Sequence, residues 1–301
     1  MSRILVTGAK GQLGFELLGS LAGQGQVVAV GRERMDLSNP DSILRAVREI
    51  GPDLIVNAAA YTAVDQAESE PELALSVNGI APGILAEEAK RLGAALIHYS
   101  TDYVFDGTKG AAYVEDDASS SINVYGRTKL AGERAIQAVD VPQLILRTSW
   151  VYGMRGKNFL LTILRLAKER DELRIVDDQI GAPTWSRALA RATHGILSNL
   201  DYGKPGFIDA CAEQSGLYHL SAAGHTSWHG FTAAILEHAA RAENGLLDRV
   251  PALKPISTEQ YPLPARRPRY SVLDNAKLQR TFGVVMTDWK TSLAECLSSG
   301  K

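Results

Sequence analysis

Arg3-Ile4-Leu5-Val6-Thr7-Gly8-Ala9-Lys10-Gly11-Gln12-Leu13-Gly14 is the stretch that decides the fold. Ile4, Leu5 and Val6 predict a short buried strand, and three glycines spaced three apart then lead into a helix. A strand feeding a glycine turn feeding a helix N-terminus gathers backbone N–H groups and the positive end of the helix dipole at one point. That point suits an anionic pyrophosphate. Side chains at Gly8, Gly11 or Gly14 would hold the backbone off such a ligand. The spacing is Gly-x-x-Gly-x-x-Gly rather than the commoner Gly-x-Gly-x-x-Gly, and a tight turn without a ligand is the plainer alternative. Placement directly after one strand and before one helix favours the dinucleotide site.

Outward from this turn, strand-like runs recur at Arg3–Thr7, Gln26–Val30, Asp53–Asn57, Ala94–Tyr99 and Gln143–Arg147, separated by helix-length amphipathic segments. The rhythm predicts an α/β fold, a Rossmann-type doubly wound parallel sheet. Ser38-Asn39-Pro40 sets a cap residue before proline, and Ser69–Arg91 carries apolar residues at helical spacing. Beyond Trp150 the pattern loosens to helices at Phe159–Arg170, Trp185–Asn199 and Trp289–Leu297, with a short apolar run at Leu173–Val176. Pro-rich stretches at Val250–Pro255 and Tyr261–Pro268 are expected to break regular structure. The expected division is a nucleotide-binding domain over residues 1–150, rejoined by segments near 185–210, and a smaller C-terminal substrate-binding α+β domain over 151–301.

Composition bounds the function classes. The chain has 301 residues, 45% of them hydrophobic, enough for a substantial core. With 32 basic against 34 acidic residues, the net charge of -2 gives no field for nucleic acid or a membrane surface. Cys211 and Cys296 are the only cysteines, which suggests neither a disulfide framework nor a zinc site. The first residues lack the features of a signal peptide, and no run nears the roughly 20 apolar residues of a membrane span. A cytoplasmic protein is expected. His225 and His229 stand four apart near His219, but no cysteine or carboxylate joins them and Thr226-Ser227 reads as a helix cap. Structural histidines, and no metal, are expected.

The second strand ends Ala29-Val30-Gly31-Arg32. A carboxylate there would bind the adenosine ribose, whereas a guanidinium suits a 2'-phosphate, so NADPH is the expected cofactor, with NADH as a second donor. An ordinary exposed arginine is the plainer reading of Arg32. Asp36 and Leu37 are expected beside the adenine. Tyr125 and Lys129 stand at i and i+4 on a helix predicted to run to Ala138, and so share a face. A neighbouring ammonium lowers a phenol's pKa and equips it for proton transfer. Ser100-Thr101-Asp102 ends the fourth strand, at the end of the sheet where ligands sit. There the Thr101 hydroxyl can bond a substrate carbonyl.

Together, Thr7-Gly8-x-x-Gly11-x-x-Gly14, Asn57-Ala58-Ala59-Ala60, Thr101 and Tyr125-x-x-x-Lys129 resemble the extended short-chain dehydrogenase/reductase superfamily. Ser100-Thr101-Asp102-Tyr103-Val104-Phe105-Asp106-Gly107, Arg147-Thr148-Ser149-Trp150-Val151-Tyr152 and Gln179-Ile180-Gly181-Ala182-Pro183-Thr184 are similar to the dTDP-4-dehydrorhamnose reductase family within it. The resemblance implies reduction of the C4 keto group of a dTDP-linked 4-keto-6-deoxy sugar, giving dTDP-L-rhamnose. It assigns Thr101, Tyr125 and Lys129 to catalysis. It adds Gln12, Leu13, Ala58, Ala60, Tyr99 and Lys129 to the cofactor positions. Val64, Thr101, Asp102, Tyr125, Trp150 and Arg267 fall near the sugar nucleotide, where Arg267 would pair with the diphosphate and Trp150 would stack on sugar or base.

Some relatives pair through a magnesium ion held by acidic residues matching Glu16 and Arg187. A guanidinium cannot ligate a cation, so a monomer or weak homodimer without metal is expected. A nucleotide-sugar epimerase or dehydratase would share the fold and the Tyr-Lys pair but return the hydride. A non-catalytic regulatory subunit like that of methionine adenosyltransferase is a further alternative, against which intact Thr101, Tyr125 and Lys129 argue.

Overall fold

In the computed structural model, which describes residues 2–241, 247 and 249–299, the first half alternates strand and helix. The order is β1 (Arg3–Thr7), α1 (Gln12–Leu21), β2 (Gln26–Val30), α2 (Pro40–Ile50), β3 (Leu54–Asn57), α3 (Val64–Ala67), α4 (Pro71–Leu75), α5 (Ala81–Leu92), β4 (Ala95–Thr101), α6 (Val124–Gln137) and β5 (Gln143–Thr148). Next come β6 (Val151–Tyr152), α7 (Phe159–Glu169), β7 (Glu172–Val176), β8 (Ile180–Gly181), β9 (Thr184–Trp185), α8 (Ser186–Asn199), α9 (Phe207–Glu213) and β10 (Gly216–His219). The remainder is β11 (Thr226–Ser227), α10 (Trp228–Arg241), β12 (Ala252–Ile256), α11 (Ala276–Phe282) and α12 (Trp289–Ser299).

The main sheet has the order β10-β5-β4-β3-β1-β2, and every pairing in it is parallel. β2 and β3 flank β1 on opposite sides, so the winding reverses there and opens a crevice at the carboxyl ends of β1 and β3. Gly8 and Ala58 lie at that crevice. Such a sheet must be apolar on both faces. Ile4, Val6, Val56, Ile97 and Leu146 pack with residues of α1, α8, α9 and α11. Leu5, Ile55, Leu96 and Ile145 pack with residues of α2, α5 and α6 on the other face. A separate cluster joins α7, α10 and α12 through Leu160, Ile163, Phe231, Ile235 and Leu293. Each such side chain contributes roughly 1.5–3 kcal/mol by leaving water.

Three stretches differ from the sequence reading. β10 supplies a sixth strand although it is only four residues long, Gly216–His219. Ser69–Arg91 is not one helix: α4 and α5 are joined by a π-helical turn, Ser76–Ile80. There Asn78 Oδ1 accepts from Tyr61 N and its Nδ2 donates to Thr128 Oγ1. Ala252–Ile256 forms β12, parallel to β7, instead of breaking structure at Pro255; a two-stranded ribbon has an open edge where a missing N–H is tolerated. Among the described residues no helix is long and apolar enough to cross a membrane.

Candidate active site

The β1–α1 turn is closed so tightly that glycine is obligatory. A Cβ on Gly14 would lie 2.1 Å from Gly8 O, and Gly8 itself has φ +64° with Ala59 Cα where its Cβ would be. Gly11 caps α1 with no side-chain hydrogen bond and no acidic residue in the first turn, so the N-terminal N–H groups near Gln12 and Leu13 are left for an anion. Ala58 and Ala60 leave β3 beside this turn, with Ala59 N donating to Thr7 Oγ1 at 3.0 Å. Gln12 Oε1 accepts from Asn158 Nδ2 at 2.8 Å, which ties the turn to the start of α7.

At the end of β2, Arg32 Nε is 3.4 Å from Asp36 Oδ2, and the guanidinium is exposed. Leu37 is buried nearby. Just past this strand end the corner also carries a carboxylate, Glu33. Glu33 curls back so far that a Cβ on Gly31 would meet Glu33 Oε2 at 2.6 Å, and Lys10 Nζ pairs with Glu33 at 3.0 Å.

Tyr125 and Lys129 are brought to the crevice by α6, whose close approach again depends on glycine. A Cβ on Gly126 would lie 2.1 Å from Tyr103 O. Asn123 caps the helix by accepting from Gly126 N at 2.7 Å, while its Nδ2 donates to Arg266 O at 2.8 Å. Burial pushes the Tyr125 phenol up to about 12, against a hydrogen bond with Thr101. Burial pushes Lys129 down to about 8, with Glu133 opposing. The expected lowering of the phenol by Lys129 is not what the geometry shows. Lys129 Nζ instead donates to Tyr99 O at 2.6 Å and lies 3.2 Å from His98 Nε2. The side chain of Tyr99 points into the other core, its hydroxyl meeting Thr193 Oγ1, so any cofactor contact from this position is made by backbone.

Thr101 Oγ1 donates to Asp102 Oδ1 at 3.1 Å, whereas Asp102 Oδ2 is buried without a partner. Burial pushes Asp102 up to about 7, with the neighbouring Ser271 and Thr101 hydroxyls opposing. Val64 opens α3, and its neighbour Asp65 takes both ends of Arg267: Nη1 to Oδ1 at 2.9 Å and Nη2 to Oδ2 at 2.6 Å. Arg267 is therefore already paired. Trp150, at φ 45°, stacks on Trp228 with ring centroids 3.4 Å apart, so one face of its indole is covered.

A cavity of about 840 Å³ adjoins this side of the site. Its walls include Phe159, Trp228, Arg170, Arg174, Arg266 and Arg267, but not Thr101, Tyr125 or Lys129. The apolar ring edges and clustered guanidinium groups fit a flat ring system joined to an anion.

Over residues 1–301 the chain matches the family described as RmlD substrate binding domain. It is 48% identical to a dTDP-4-dehydrorhamnose reductase of Burkholderia thailandensis, with 98% of each chain covered. The chain belongs to the dTDP-4-dehydrorhamnose reductase family. A crystal structure of the reductase from Clostridium acetobutylicum superposes with a TM-score of 0.88 at 35% identity, covering 99% of both chains. One from Bacillus anthracis, in complex with NADP, has a TM-score of 0.87 at 34% identity, covering 99% of this chain and all of the other.

Membership in the family sharpens what sequence reasoning missed. Asp65, Trp228, Arg170, Arg174 and His98 all bear on the site, yet none belongs to a motif. The histidines weighed for a metal are scattered in use: His219 is buried, His229 Nδ1 is 3.7 Å from Asp177 Oδ1, and the His225 ring faces that of Tyr270. Nor do Glu16 and Arg187 fit a shared magnesium ion: Arg187 Nε donates to Glu16 Oε2 at 2.9 Å, and a guanidinium cannot ligate a cation. Among the described residues no group of three or more His, Cys, Asp or Glu gathers to hold one.

Proposed function

We propose that this chain reduces the C4 keto group of dTDP-4-dehydro-6-deoxy-L-mannose to give dTDP-L-rhamnose, using NADPH, with NADH as a second donor. The observation that carries the reading is the meeting of two features in one crevice: the glycine cradle at β1 and the Thr101-Tyr125-Lys129 cluster at β4 and α6. Gly8, Gly11, Gln12, Leu13 and Gly14 would hold the pyrophosphate, and Arg32 with Lys10 would meet a 2'-phosphate. Bound NADPH supplies the hydride at the carbonyl carbon. Thr101 Oγ1 and the Tyr125 hydroxyl bond the carbonyl oxygen and polarise it for that transfer, and Tyr125 gives the resulting oxyanion its proton. Lys129, held by Tyr99 O one helical turn from Tyr125, would carry its positive charge to the cofactor side of the site. Asp102, Val64 and Trp150 border the sugar. The diphosphate and base extend toward the arginine-lined cavity, so residues 151–301 mainly hold the sugar nucleotide while 1–150 hold the cofactor.

The protein acts in the cytoplasm as a monomer or weak homodimer, without nucleic acid, membrane or metal as partner. The test is loss of NADPH absorbance on adding the dTDP-linked 4-keto sugar, with the product identified by mass. Consumption of one NADPH per sugar is expected. A converted but unreduced sugar would indicate an epimerase or dehydratase instead, and no conversion would favour a regulatory subunit.

A further inference from the structure

Thr7, Asn57 and His98 stand side by side in the register of β1, β3 and β4, and all three are buried. They interrupt, at its carboxyl end, the face of the sheet that packs on α6. Thr7 Oγ1 lies 2.7 Å from Asn57 Oδ1, Asn57 Nδ2 lies 2.9 Å from His98 Nδ1, and His98 Nε2 lies 3.2 Å from Lys129 Nζ. The row thus runs unbroken from the phosphate-binding turn to the lysine of the catalytic cluster.

Counting protons along the row gives two arrangements. A neutral imidazole offers one N–H and one lone pair. When Asn57 Nδ2 donates to Nδ1, the ring proton sits on Nε2 and faces Lys129, which can accept it only as an uncharged amine. When Lys129 is an ammonium, Nε2 must accept, the ring proton moves to Nδ1, and the Asn57 amide turns its oxygen toward His98. A half-turn of that amide keeps its shape. Burial and the neighbouring Lys129 keep His98 itself neutral, holding its pKa well below the usual value. Besides His98 from β4, Lys129 faces Glu133 on its own helix, which is tied to Arg147 of β5 at 2.6 Å. Tyr125 lies one turn away on α6, and Asp102 follows β4.

We infer that His98 is a positioning residue for Lys129: a neutral imidazole whose Nε2 lone pair holds the ammonium in place, and whose tautomer, fixed through Asn57 and Thr7, follows the charge of that lysine. The inference rests on the reductase reading and deepens it. His98→Leu removes the acceptor and leaves the Tyr99 carbonyl as the remaining partner. Without the lone pair the ammonium is less stable, so the alkaline limb of the reduction profile moves down by about one pH unit. kcat falls about tenfold or more, the effect of one lost hydrogen bond to a charge. His98→Gln, whose amide oxygen reaches a similar point, recovers most of kcat and the wild-type limb.

The second readout is the wild-type protein with 15N-labelled histidine, His98 being assigned from the variants. Below the limb, Nδ1 is protonated and Nε2 is not; above it, the proton is on Nε2. His98→Leu with the wild-type limb and kcat would overturn the proposal, and so would a His98 tautomer that is Nε2–H at all pH. If His98→Leu fails to fold, the tautomer of the wild type decides alone. Absence of turnover in the wild type would strike the reductase reading and leave the tautomer result standing.

Discussion

Lys129 and Tyr125 lie one helical turn apart, yet Lys129 Nζ reaches across to β4 and donates to Tyr99 O at 2.6 Å. Burial has opposite effects on the two groups, moving the phenol up to about 12 and the amine down to about 8. As pH rises, Lys129 therefore loses its charge first, while Tyr125 still carries its proton. Reduction is expected to decline above about pH 8, and a rate that holds constant to about pH 10 would contradict this order of titration.

Tyr125→Phe removes the proton donor and keeps the ring that packs edge-on to Tyr103, 6.0 Å between centroids. Turnover should fall at least about 100-fold, the scale of general acid catalysis, while NADPH affinity stays close to wild type. Stopped-flow reduction and fluorescence titration of the cofactor separate the two, and retention of most of the turnover would take Tyr125 out of the reaction.

Asp102 gives a stability prediction. Its pKa is raised by burial from the usual 3.8 to about 7, so between those values the folded state binds more protons than the unfolded chain. Stability from this group is greatest below the unfolded value and is lost as pH rises through the folded one. Asp102→Asn removes the buried charge, so it should raise Tm at about pH 8 by on the order of 4 °C, with a smaller gain at about pH 5. Activity should drop, since this carboxyl group is bonded to Thr101. A uniform gain at both pH values would show that the carboxyl is not ionising where its burial places it.

Glu16 and Arg187 predict indifference to magnesium. Their ion pair, 2.9 Å at its shorter contact, leaves no carboxylate pair for a metal. Sedimentation and turnover should be unchanged by EDTA, whereas Arg187→Glu, which places two carboxylates together, should make self-association respond to magnesium. Dissociation of the wild type by EDTA would show that other carboxylates hold an ion.

How far the sequence reaches follows from the range of each interaction. The β1 turn was legible because a strand, three glycines and a helix start are adjacent, and Gly14 meets Gly8 within the same turn. The Asn39 cap, accepting from Ser42 N, is equally local. Arg267 stands out in the sequence, but its pairing with Asp65 does not, since Asp65 lies 202 residues away and only the folded chain joins them. His98 was hidden inside a strand that is buried along its whole length. A buried polar residue at the same register in three neighbouring strands was the available signal, and the register is not written in any one strand. β10 was missed because four residues carry too little periodicity to set a strand apart from a loop.

Hydride delivery to the sugar carbonyl beside Tyr125 is read from the fate of the transferred hydrogen. With NADPH deuterated at the transferring position of the nicotinamide, the expected product is a dTDP-linked 6-deoxyhexose carrying one deuterium at C4, made at one equivalent of NADPH per sugar. Deuterium at another carbon, or its absence from a sugar the protein has converted, would contradict it.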